Sequence, residues 1–330
     1  MSFDVRPYSA LSPQEVRLQI RAGKIPHPTA GMCAGYAQAN LVILSAAWAD
    51  DFAEFARQNP AACPVLEVVR GTPFTRRMAT DGDIVRDIPR YRIYRSGELA
   101  EEVEDASAYW SEDSVGFLIG CSFSFEEALI RAGISMRHID RGCNVSMYKT
   151  NLQTRAVGAF RGPMVCSMRP MKPEQAKLAA EITARMPNVH GAPVHIGDPA
   201  QIGIADLRKP DYGDPVPLEP GEVPVFWPCG VTPQAALESA RPELAVTHAP
   251  GYMFITDVRN DVLNDFLQQN PPPLTLCQMA PRSGCVRRMA LLFHLQRKSS
   301  HEPGTSLPTH GLFAWIPNGC SYSLLSRRSP

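Results

Sequence analysis

Apolar residues along this chain gather into short unbroken runs, set apart by turns of Pro, Gly and small polar residues. The run at 115–119 has strand length and no charged position, so a buried strand is expected there. Gly120 ends it, Cys121 and Ser122 follow, and Ser124 with Glu127 has capping-box spacing for a helix closed near Gly133. Other helices are expected from Ser12-Pro13-Gln14-Glu15, after Ser45 with Trp48, Phe52 and Phe55 on one face, and over 173–186. Strands are expected over 63–69, 90–95, 164–168, 223–227, 244–247 and 252–256. A second strand-to-helix turn follows at 228–234, with Thr232 as cap and Pro233 in the first helical position. Less regular stretches read as an acidic helix over 98–112, a short strand over 135–139 containing His138, and a loop over 144–151. Beyond about 259 the periodicity fades and Pro, Ser and Arg cluster, which predicts a poorly ordered tail.

The handover from strand to helix gives this pattern chemical content. Free N–H groups and the positive end of a helix dipole meet at Cys121, Ser122 and Ser124, where an anion or a developing oxyanion is stabilised. The purely structural alternative has the serines capping and Cys121 packing. Gln38 and Asn40, standing directly before an apolar run, are either buried and hydrogen-bonded or facing a ligand.

Composition narrows the classes. A hydrophobic fraction of 44% and a charged fraction of 20% fit a soluble globular protein. No apolar run approaches the roughly 18 residues of a membrane helix, and no basic n-region precedes an apolar one at the N-terminus, so neither membrane nor secretion is expected. Nine cysteines, an odd count without a C-x-x-C pair, suggest reduced thiols in a cytoplasmic protein. The net charge is zero, with a basic excess only after residue 261, which argues against nucleic acid as a partner of the main body. His190, His195 and Asp198 lie close together, but their spacing matches no zinc signature, so no metal is expected. No nucleotide-binding pattern is present, and no cofactor is expected either.

Six motifs together resemble the D-glutamate cyclase family. They are Gly35-Tyr36-Ala37-Gln38-Ala39-Asn40-Leu41, Asp87-Ile88-Pro89-Arg90-Tyr91-Arg92, Phe117-Leu118-Ile119-Gly120-Cys121-Ser122-Phe123-Ser124-Phe125-Glu126, the stretch from His190 to Pro199, Trp227-Pro228-Cys229-Gly230-Val231-Thr232-Pro233-Gln234, and Thr247-His248-Ala249-Pro250-Gly251. The resemblance implies an α/β fold, a mixed sheet flanked by helices with a smaller inserted α+β domain. Residues 1–129 and 216–258 would form the larger part, 130–215 the smaller one, and 259–330 the divergent tail. It also implies a hydro-lyase that closes D-glutamate to 5-oxo-D-proline and releases water. The candidate catalytic residues are His195 and Asp198 as acid or base and Cys121 as nucleophile. Ser122 and Ser124 would hold one substrate carboxylate and Arg169 the second, with a plain salt bridge as the rival role for Arg169. Asn144, Cys229 and His248 complete the candidate binding set. The partner is then a small amino acid or carboxylate, and a homo-oligomer is left open. Two competing readings remain: a non-catalytic amino-acid-binding protein and a thiol-dependent lactam hydrolase.

Overall fold

The computed structural model of the chain describes residues 3–272. Its first long strand, β1 (Tyr36–Ser45), is buried along nearly its whole length because alternate residues feed two separate cores. Ala37, Ala39, Leu41 and Ile43 enter one core, Val42 and Leu44 the other. Around β1 lie β2 (Val65–Arg70), β3 (Tyr91–Arg95), β4 (Glu98–Val103), β5 (Ser114–Gly120), β10 (Ala245–His248) and β11 (Phe254–Arg259). The sheet order is β2-β5-β1-β10-β3-β4, and β11 shares with β10 the edge of β1 opposite β5. A second sheet holds β6 (Ser146–Gln153), β7 (Pro163–Met171), β8 (His195–Ile196) and β9 (Val223–Pro228) in the order β6-β7-β9-β8. Every pairing between these strands is antiparallel.

The helices are α1 (Arg6–Ser9), α2 (Pro13–Arg21), α3 (Ala46–Gln58), α4 (Phe123–Arg131), α5 (Arg137–Asp140), α6 (Pro173–Thr183), α7 (Thr232–Ala240) and α8 (Leu263–Gln269). α2 opens with the expected Ser12–Glu15 capping box. α3 and α7 cover one face of the larger sheet, where Phe52 meets Phe117 at 4.8 Å and Phe160 at 5.5 Å. α4, α6 and α8 supply Phe125, Ala176 and Leu263 to the core on the other face. The architecture is therefore the α/β class that the sequence indicates. No helix among the described residues is long and apolar enough to cross a membrane.

Several local expectations are corrected. Residues 98–103 are not helical: Ser96 and Gly97 both have positive φ, at 50° and 82°, and turn β3 back into the acidic edge strand β4. Glu102 then faces Arg92, an ion pair that a helix reading could not anticipate. His138 sits on the short helix α5 rather than on a strand, and 146–153 is β6 rather than loop. α4 starts one residue after Ser122 and lacks the Ser124–Glu127 box, because Ser124 is turned to β1. β9, placed by the sequence reading in the larger part, pairs in the smaller sheet. The tail expectation is overturned for 259–272, where α8 buries Leu263 and Leu267. Its remainder, 273–330, lies outside the described residues.

Candidate active site

β5 and β9 each end in a turn carrying a cysteine, followed by α4 and α7. These two turns meet on β1. Asn40 donates from Nδ2 to the Gly120 carbonyl at 2.7 Å, and its carboxamide packs so closely under Gly230 that a Cβ there would lie 2.0 Å from Nδ2. Glycine is required at 230 by close approach rather than by its dihedral angles. Gly230→Ala is expected to push Asn40 off the Gly120 carbonyl, to cost about 1–3 kcal/mol of stability, and to lower turnover. Urea unfolding and an activity assay together check this, and a variant unchanged in both would refute it.

Behind the first turn lies a buried ionic cluster. Arg169, projecting from β7, donates from Nε to Glu126 Oε1 at 2.9 Å, and its Nη2 bonds the same oxygen. Nη2 also donates to Ser122 Oγ and Nη1 to Ser167 Oγ, each at 3.0 Å. The guanidinium lies over the rings of Phe125 and Trp227, 5.0 and 5.6 Å from their centroids. His138 Nε2 stands 3.2 Å from Glu126 Oε1, within ion-pair range but off the line of a hydrogen bond. Burial alone would raise the Glu126 carboxyl, but His138 and Arg169 outweigh it and hold the group below the usual carboxylate range. Glu126 Oε2 is buried without a protein partner among the described residues.

Two further histidines are buried nearby, His190 within reach of Arg169 and His248 against β1. Residues 187–189 press onto the end of β5, where a Cβ on Gly120 would lie 1.9 Å from the Asn188 carbonyl oxygen. That contact carries His190 inward, with its backbone in the left-handed region at φ 84°. His190 Nδ1 lies 2.8 Å from the Ala61 carbonyl. His248 Nδ1 lies 3.1 Å from the Leu41 N and 3.2 Å from its O. Burial pushes both imidazoles down to about 4. His248 Nε2 and Asn144 Oδ1 are buried without a protein partner among the described residues, and the buried His190 Nε2 makes no well-formed hydrogen bond although the Gly120 backbone lies beside this imidazole. Asn144 donates from Nδ2 to the Pro250 carbonyl at 2.8 Å, which ties it to the turn after His248. Buried polar atoms left open in this way are where a ligand or ordered water is accommodated.

The expected residues thus divide. Ser122 and Arg169 bond directly, and Cys121 and Cys229 occupy the two turns. Ser124 lies there too, but it accepts the Gln38 N–H at 2.9 Å and donates to the Gln38 carbonyl at 3.3 Å, which commits its hydroxyl to holding α4 on β1. Burial pushes both thiols up, Cys229 to about 11, where a Val231 N–H and Arg169 partly offset it. The donors of Arg169 that bond Glu126, Ser122 and Ser167 are occupied, which favours the salt-bridge role over a free carboxylate receptor. His195 and Asp198 are not brought to the cluster. His195 packs on Phe226, 5.9 Å between ring centroids, and Phe226 shares a core with Met168, the residue beside Arg169 in β7. Successive strand residues face opposite ways, so His195 lies across the smaller sheet from Arg169. Its Nε2 is 2.8 Å from the Asp198 carbonyl, and the Asp198 side chain accepts the Ala200 N–H.

The sequence pattern raised His190 only as a metal ligand and gave no role to Glu126 or His138. Glu126 carried a usable signal: it stands three residues before Leu129, on the buried side of α4, where a carboxylate needs partners.

The sequence profile of the D-glutamate cyclase family matches residues 115–257. A Bacillus subtilis (strain 168) protein named "Putative hydro-lyase YcsI" is 58% identical over 254 residues, covering 77% of this chain and 99% of its own length. Proteins named "Putative hydro-lyase" from Stutzerimonas stutzeri (strain A1501) and Bacillus pumilus (strain SAFR-032) are 55% and 53% identical, each over 257 residues. Those alignments cover 78% of this chain and 97% and 98% of the relatives. The solved structure of a nitrogen repressor-like protein from Methanococcus jannaschii covers 71% of this chain and 91% of its own, at 10% identity and a TM-score of 0.32.

Proposed function

The chain belongs to the D-glutamate cyclase family, and from that premise we propose that it is a hydro-lyase closing D-glutamate to 5-oxo-D-proline with release of water. The observation that carries the reading is the buried Glu126, held between Arg169 and His138 beside Ser122, with one carboxylate oxygen left open.

In this reaction the substrate nitrogen forms a bond to the γ-carboxyl carbon, and a C–O bond of that carboxyl breaks. The ammonium gives up two protons, and the departing oxygen takes up two to leave as water. No oxidant, reductant or second substrate is needed. What the chemistry needs is proton transfer from nitrogen to oxygen across a short distance, and a positive site for the tetrahedral oxyanion. Glu126 with His138 supplies a coupled pair able to take a proton and return it. The Arg169 guanidinium and the start of α4 stabilise the oxyanion. Holding the amine against the γ-carboxyl supplies up to about 7–11 kcal/mol of the barrier. The thiol-dependent reading gains no support, because burial keeps Cys121 and Cys229 protonated at neutral pH.

Proton NMR of the full-length chain incubated separately with D- and L-glutamate tests the reading. 5-Oxoproline is expected from the D isomer alone. A folded sample giving no product from either isomer would overturn the substrate assignment.

A further inference from the structure

A polar cleft of about 520 Å³ opens where the β3–β4 hairpin, β6 and the end of α7 come together. That volume is in the range of small-molecule sites. Arg92 on β3 lines it with a side chain only 19% exposed. Its Nε donates to Glu102 at 2.8 Å, but Nη1 has only a long contact of 3.5 Å to Gln234 Oε1. The Tyr94 oxygen is a further neighbour of the guanidinium, and no hydrogen bond from Nη2 is formed among the described residues. The outer edge of a largely buried guanidinium is thus open toward the cleft. Lys149 stands on the far wall, and the Tyr212 ring lies within reach of both cations, 5.6 Å from the Arg92 guanidinium and 5.9 Å from Lys149 Nζ. Glu238 pairs with Lys149 at 2.9 Å, so the cleft offers both signs of charge.

Two cleft residues, Tyr94 and Tyr212, are tied to the interior beneath it. Gln234 accepts from the Tyr94 hydroxyl at 3.1 Å and donates to the His248 carbonyl at 2.9 Å. Tyr212 packs on the core that contains Cys121, Cys229 and Val231.

We propose that this cleft is the first docking site of the amino-acid substrate, its carboxylate held by the Nη1–Nη2 edge of Arg92 with Lys149 and its ammonium by Glu238. A guanidinium edge matches a carboxylate bidentately, and the acidic neighbours select a zwitterion over a simple anion. The inference rests on the reading above that the substrate is an acidic amino acid.

Calorimetric titration of the full chain with D-glutamate and with glutarate, which lacks the ammonium, tests it alongside the NMR assay. Wild-type protein is expected to bind D-glutamate at least about tenfold more tightly than glutarate. Arg92→Gln, and independently Lys149→Met, are expected to weaken D-glutamate binding about tenfold with an unchanged urea midpoint, the loss in turnover falling mainly on KM. Binding by either folded variant equal to wild type, or no binding by wild type, overturns the proposal. Arg92-dependent binding without turnover would retain this site and overturn the cyclase reading. Turnover with an unchanged KM in Arg92→Gln would do the reverse.

Discussion

Replacing Glu126 with glutamine is expected to lower turnover at least about a hundredfold and to cost about 3–5 kcal/mol of stability. The two losses have different origins. Stability falls because Arg169 stays charged in the core, with the carboxylate that neutralised it gone. Turnover falls because an amide can neither take up nor return a proton. The double variant Glu126→Gln with Arg169→Met separates them. It removes the uncompensated charge, so much of the stability should return, while turnover stays lost. Equilibrium urea unfolding and the NMR assay read the two quantities independently. A single variant that unfolds early but retains wild-type turnover would confine Glu126 to a structural role. Recovery of turnover in the double variant would exclude Glu126 from the chemistry altogether.

The strands and turns were legible where a local signal was also the deciding one. Residues 115–119 gave β5 because five apolar residues between turns leave little else, and Ser12-Pro13-Gln14-Glu15 gave α2 because a capping box satisfies its own donors. The β4 edge was illegible because Glu102 answers to Arg92 on the neighbouring strand and to Arg90 just before it, contacts set by a hairpin turn and not by its own periodicity. The same holds for the site. Position in a turn pointed to Ser122 and Cys121, which the end of β5 places beside the Glu126–Arg169 cluster. His190 and His195 stand five positions apart with the same imidazole, and no local signal tells which one turns inward. What separates them is tertiary: the 187–189 segment packs on Gly120 and turns His190 inward, while β8 pairs with β9 and leaves His195 on the outer side. Glu126 and His138 became a pair only once α4 and α5 were brought together, with Phe123 stacked on His138.

The buried imidazoles of His190 and His248 make stability fall on the acid side of neutrality, with the onset near pH 6.5. Burial, reinforced by Arg169 near His190 and Arg92 near His248, lowers both groups from the usual 6.5 to about 4. The backbone contacts of His190 with Ala61 and Gly120, and of His248 with Leu41, act in the opposite direction and are outweighed. Above pH 6.5 both states carry neutral imidazoles, and the stability is fully present. Between pH 6.5 and 4 the unfolded chain binds a proton at each site and the folded chain does not, so each step down in pH favours unfolding. Two such groups give a slope of up to about 2.7 kcal/mol per pH unit inside the window, and a loss of about 3 kcal/mol per histidine by its lower end. Glu126 acts below that range: its lowered carboxyl contributes stability above the unfolded carboxylate pKa, and this is lost only as the pH falls through the folded value. Urea midpoints measured from pH 7 down to pH 4 should trace the histidine window. His190→Gln should remove about half of the slope there, because its site no longer titrates in either state. A wild-type midpoint that stays flat from pH 6.5 to 4.5 would mean that these imidazoles are protonated as readily in the fold as in water. The two Nε2 atoms would then be reaching solvent rather than lying enclosed in the fold.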